Sequence, residues 1–244
     1  GVEASVFLVG GGACLLAAIL AVLWREPLRR LKGISIVPDA PNEAIVKKSR
    51  APLWPLLMIA ASDRAAGGLL TGTLGLFLAS AVGLEPAIRG GLVGSVLLMM
   101  GLGALPAGLI ADRYGALRVR LFGSLAFGLG IVVLPQVAGV LPLLGAVMIV
   151  MGIGGAVLLP TSLSLLDHLH GGLVGMGGFR AAGDIGFLLG VSVAGILVAT
   201  LVEPETSGAA TSAYGMIFAA FGAAHLAVTA IAVPTLATSS MRST

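Results

Sequence analysis

Long apolar runs separated by short polar breaks set the pattern of this chain. Seven such runs can be drawn, approximately Ser5 to Trp24, Trp54 to Val82, Gly90 to Ile110, Leu121 to Gly139, Leu143 to Leu166, Ala181 to Val202 and Tyr214 to Leu236. The run from Gly90 to Ile110 holds 21 residues without a formal charge. At about 1.5 Å per residue it covers the roughly 30 Å hydrocarbon core of a bilayer, so it predicts a membrane-spanning helix. The 46 uncharged residues from Leu121 to Leu166 are too long for one span, and Pro135, Gly139 and Pro142 predict the turn that divides them. The expected fold is all-α, a polytopic membrane protein of about seven transmembrane helices.

The spacing of the runs is one plus six. The polar stretch Arg25 to Arg50, with prolines at 27, 38 and 41, separates the first run from six closely spaced ones. The division expected is therefore an isolated span over 1–24, a loop over 25–51, a six-helix unit over 52–237 and a tail over 238–244. Composition removes the soluble classes: 57% of residues are hydrophobic and 10% charged, whereas a soluble domain carries about 25% charged residues. The 37 glycines suit helices packed closely in lipid. Gly152-Ile-Gly154-Gly155 and Gly171-Gly172 neither follow a strand nor join a phosphate-binding lysine, so no nucleotide loop is read from them. The single cysteine, Cys14, excludes an internal disulfide and a cysteine-rich metal site.

Charge changes the picture by its distribution. Arg25, Arg29, Arg30, Lys32, Lys47, Lys48 and Arg50 fall in the first loop, Arg113, Arg118 and Arg120 in the break after the third run, Arg180 before the sixth run and Arg242 in the tail. Those twelve of the 14 basic residues lie on one side of the predicted topology, which is expected to be cytoplasmic. Trp24 and Trp54 fall at the same interface. Glu3 before the first run and the basic cluster after it reverse the order of a secretory signal, so that run is expected to be a true span entering from outside.

The most informative break is Gly108-Leu-Ile-Ala-Asp-Arg-Tyr-Gly115. Gly115 suits a helix end that needs a left-handed residue, and the next run starts almost at once, which predicts a tight hairpin. Asp112 then lies at a helix C-terminus, where the dipole disfavours an anion and a partner is needed. This stretch resembles the signature loop of the major facilitator superfamily of transporters, G-x-L-A-D-R/K-x-G-R-R/K. Gly108, Ala111, Asp112, Arg113 and Gly115 fall at matching positions and Ile110 replaces Leu. The departures are Ala116 and Leu117, where the family prefers basic residues; Arg118 and Arg120 are expected to supply that charge one turn later. Met176 to Gly186, with Arg180 and Asp184, resembles the family's entry to the penultimate helix.

The resemblance implies two six-helix halves, each of inverted three-helix repeats, rocking around a central site. It also implies that this chain is a fragment holding the sixth span, the central loop and the second half, and that alone it should not transport. Asp112 would dock on a helix of the opposite half; a plain hairpin with solvated charges is the other reading of the same loop. Arg180 and Asp184, four residues apart, can pair on one helix face and either gate the transporter or stabilise a helix start.

Asp63 and Arg64 are the first candidates for a pathway, since ionisable groups in a span cost at least ~2.5 kcal/mol each. They read either as proton or substrate contacts or as an interfacial salt bridge. Thr161, Ser162 and Ser164 after Pro160 offer hydroxyls on a kinked helix, and Met99 and Met100 an adaptable apolar surface. His225 near the middle of the last run invites a proton-relay reading, although the resemblance puts that helix at the periphery, where a hydrogen bond to a neighbouring backbone is expected. Asp167, His168 and His170 read as an interfacial helix end without a further metal ligand.

The function expected is secondary active transport of a small molecule by alternating access, proton-coupled, with efflux of cationic or amphipathic compounds compatible. The partners expected are that substrate, protons, the lipid bilayer and a missing N-terminal half; no cofactor, metal, nucleic acid or enzyme chemistry is expected. The alternative is a seven-helix sensor, receptor or scaffold that does not transport. Its retinal version fails because all three lysines, Lys32, Lys47 and Lys48, lie in the first loop.

Overall fold

The computed structural model describes residues 52–170, 173–202 and 207–241. The run Ser5 to Trp24, the basic loop over 25–51, and residues 242–244 therefore lie outside the described residues. Six helices follow: α1 Trp54–Ser80, α2 Pro86–Tyr114, α3 Ala116–Val133, α4 Leu141–His170, α5 Leu173–Leu201 and α6 Ser207–Met241. A short 3₁₀ segment, Leu134–Val137, closes α3 at Pro135 and leads into the turn before α4. No strand occurs among the described residues.

Five stretches are long and apolar enough to cross a membrane, Pro86–Tyr114, Ala116–Val137, Leu141–Leu169, Gly175–Leu201 and Thr211–Thr238. The chain is thus an integral, multi-pass membrane protein. Helix α1 is the difference from the six spans expected over this region. Its 27 residues are long enough, but Asp63 and Arg64 in its first half lower its apolar character. Burial compensates: eleven residues of α1 are buried, against three of the 29 in α2. The helix with charge inside its apolar stretch is covered by protein, and α2, whose charges lie near its ends, is left to lipid.

Packing follows a simple order. Helix α1 lies mainly along α5 and also touches α6; α4 lies along α2 and α3; α3 meets α6. The α1–α5 contact is backbone against backbone, since a Cβ at Gly186 or Gly190 would overlap the carbonyl of Ala61 or Ala65. Small residues permit such approach where lipid gives no hydrophobic drive between helices. Only 11% and 17% of the apolar windows of α2 and α5 are buried, against 39–44% for α3, α4 and α6. Leu102, Leu105 and Leu109 of α2 and Leu188 and Ile196 of α5 consequently stand exposed.

Two helix ends differ from the sequence expectation. Helix α5 starts at Leu173, not near Ala181, so Arg180 and Asp184 lie beyond its first turn, where the macrodipole has faded. Helix α6 runs through Pro234 to Met241, so the first residues of the expected tail, 238–241, are helical.

Two apolar cores lie one above the other. One gathers Leu69 and Phe77 of α1, Phe127 and Ile131 of α3, Leu144 and Met148 of α4, and Tyr214 and Phe218 of α6. The other gathers Leu56, Ile59 and Ala60 of α1, Leu166 and Leu169 of α4, and Ala232 and Leu236 of α6, with Leu117 of α3 against it.

Candidate functional site

Between those two cores, each of the same four helices contributes a side chain to one polar cluster: Asp63 on α1, Arg120 on α3, Ser162 on α4 and His225 on α6. Arg120 is the centre. It is 1% exposed, and its Nη2 donates to Asp63 Oδ1 at 2.6 Å. Its Nη1 donates to Ser162 Oγ at 2.5 Å and to the Leu158 carbonyl at 2.8 Å. Charge-assisted bonds of this kind are what a guanidinium removed from water requires. The turn around Pro160 supplies the acceptors, and Thr161 Oγ1 also bonds back to the carbonyls of Val157 and Leu158.

His225 completes the cluster from the far side. It is 1% exposed, its Nδ1 lies 3.3 Å from Ser62 Oγ and 3.7 Å from Asp63 Oδ1, and its ring stands edge-on to Phe127 with centroids 5.6 Å apart. Three polar atoms around this point are buried without a hydrogen-bond partner among the described residues: Arg120 Nε, Ser124 Oγ and His225 Nε2.

This geometry corrects two sequence expectations. Arg120 does not supply charge to the loop after Gly115; it points into the bundle and belongs to the same cluster as Asp63. His225 does not sit on a peripheral face: it is enclosed and meets the side chain of Ser62, while the expected contact with a neighbouring helix's backbone is made at Ser124. Arg64, next to Asp63 in sequence, turns away from it, lies exposed and rests against Gly183 of α5.

The Gly108–Gly115 loop forms a separate surface. Gly115 alone connects α2 to α3, with φ +92 and its N–H on the Ala111 carbonyl at 2.8 Å. Only glycine adopts that backbone without strain. Ala111 is buried and Gly108 half-buried, while Asp112, Arg113 and Arg118 are exposed. Asp112 has no ion-pair partner among the described residues, and Arg113 stacks over Tyr114 at 5.6 Å. Arg118 borders two grooves, an apolar one of about 460 Å³ reaching Phe122 and Val157, and another of about 510 Å³ reaching Asp112, Ser164, His168 and Leu236. Arg180 Nε reaches Asp184 Oδ2 at 3.2 Å, an exposed i,i+4 pair of small energetic weight. His168 Nδ1 lies 2.8 Å from its own helix's Ser164 carbonyl.

The structure therefore joins Asp63, Arg120 and Ser162 and leaves Arg64, Thr161, the loop charges and the Arg180–Asp184 pair outside the cluster. No protein-family model matches this chain, and no curated protein is significantly similar to it.

Proposed function

We propose that this chain belongs to a secondary active transporter of major-facilitator type, which moves a small molecule across the membrane by alternating access and couples that movement to protons. The observation that carries the reading is the packing order. Exchanging α1, α2 and α3 for α4, α5 and α6 leaves it unchanged: α1 on α5 becomes α4 on α2, α3 on α4 becomes α6 on α1, and α3 on α6 maps onto itself. A unit of three spans reverses direction in the membrane when repeated, so this is the order that inverted three-helix repeats would produce. The exchange also pairs α2 with α5, the two helices with the least covered apolar faces. In the proposed architecture those faces meet a second six-helix half.

The Gly108–Gly115 loop supports the same reading, with its exposed Asp112 free to dock on such a half from the cytoplasmic side. A second reading, a scaffold or sensor without transport, draws on one observation, that Asp63 is spent on Arg120 inside the bundle and not on an open wall.

The test is to express this chain together with the six-helix half it is expected to pair with, in cells stripped of their own drug-efflux pumps, and follow the accumulation of fluorescent amphipathic cations. The expected outcome is lower accumulation that a protonophore reverses. Accumulation equal to that of control cells across the panel, in either direction of the proton gradient, would favour the scaffold.

A further inference from the structure

We infer that His225 and Asp63 form a proton-binding site, in which uptake of one proton by the His225 imidazole transfers the Asp63 carboxylate from Arg120 to His225. As a coupling site it rests on the transporter reading above; as a proton site it rests on the geometry alone. The charges balance as found. Arg120 stays cationic, Asp63 compensates it, and a neutral His225 adds nothing.

A proton arriving from water on the imidazole makes it a second cation beside the same carboxylate. His225 Nδ1 is 3.7 Å from Asp63 Oδ1, beyond a hydrogen bond, so a movement of under about 1 Å creates an ion pair. Ser162 Oγ and the Leu158 carbonyl keep Arg120 Nη1 bonded on α4 when Asp63 turns to His225, and so short a movement leaves the carboxylate near enough to compensate both cations. With both ring nitrogens then carrying hydrogen, the N–H not facing Asp63 can be met by the backbone of Ser124, against which the ring lies. Asp63, 14% exposed on its side chain, is the wet end of an otherwise dry cluster and the route by which a proton enters.

The surroundings contain no competing titratable group among the described residues. Helix α1 contributes Asp63 alone, because Arg64 faces away; α3 contributes Arg120; α4 contributes hydroxyls and carbonyls; and α6 contributes His225 itself, whose carbonyl accepts from Thr229. Arg180 and Asp184 of α5 are exposed and paired with each other. Proton uptake would thus loosen α1 from α3 and tighten it on α6, a change of helix pairing driven by one charge.

The experiment is ¹⁵N-histidine NMR of the full chain in lipid nanodiscs across a pH series, with His168 at the exposed end of α4 as internal reference. The expected result is an imidazole signal that titrates, is absent in His225→Gln, and moves its midpoint by about one pH unit or more in Asp63→Asn while His168 stays in place. Should His225→Gln fail to fold, the signal is assigned by subtraction with His168→Gln and His170→Gln. A His225 ring locked in one protonation state throughout, or a midpoint that ignores Asp63→Asn, overturns the proposal. The titration needs no transport, so a titrating, Asp63-linked His225 in a protein without proton-driven flux would retire the transporter reading and keep the proton site.

Discussion

Arg120 is the residue on which the interior turns, because a guanidinium cannot shed its charge and must be matched where it lies. Replacing Asp63 by Ala leaves that charge buried and uncompensated. We expect Asp63→Ala to cost about 3–5 kcal/mol, and the double change Asp63→Leu with Arg120→Met to recover most of it, as paired buried ions often do. Thermal unfolding of both variants in detergent measures this; equal stability of Asp63→Ala and the parent would mean that the pair carries no weight. The sequence contained the signal for this placement. Arg120, Ser124, Phe127 and Ile131 recur at helical spacing, and all four are buried. Two residues turn a helix by about 200°, so Arg118 stays at the surface while Arg120 enters the bundle. His225 was legible in the same way, two turns after Phe218, one after Phe221 and one before Thr229. Its partners Ser62 and Asp63, 163 and 162 positions away, were not, since nothing local encodes a contact across that separation.

The helices themselves were legible because each apolar run is about long enough to span a bilayer, and their ends were less so. Prolines and glycines mark the turn near Pro135 and the break at Gly115, where backbone chemistry forces the chain to stop. The start of α5 at Leu173 is marked by Gly171-Gly172 just before it, but Gly175, Gly177, Gly178 and Arg180 interrupt the apolar run and shift its apparent start to Ala181. The closeness of α1 and α5 also escaped the sequence, for glycines reveal that helices may approach and not which helices do so. It predicts a sharp sensitivity. Gly186→Leu would set a side chain against the Ala61 backbone, which cannot shift without moving α1, so a loss of at least about 1–3 kcal/mol is expected. Gly177→Leu, at a position with open space, serves as the comparison in the same melting assay. A Gly186→Leu protein as stable as the Gly177→Leu one would refute the close packing.

At the scale of the whole molecule, a layer of four polar residues lies between two apolar cores, under an outer surface of leucine on α2 and α5. The layer unites α1, α3, α4 and α6 into one bundle, while the other two helices present themselves outward. It also orders the birth of the protein in time. Helix α1 is made first among these six, and its Asp63 and Arg64 each oppose entry into lipid by about 2.5–3.5 kcal/mol. The residue that neutralises Asp63 is synthesised 57 positions later. Until α3 emerges from the ribosome, α1 must therefore wait at the translocon or slip back into water. Nascent chains truncated before Arg120 should leave α1 outside the membrane far more often than chains extended through α4, and glycosylation acceptors placed beside Trp54 and Ser80 would score the difference. Equal insertion at both lengths would mean that α1 enters unaided; unequal insertion would make a single arginine the timer of membrane integration.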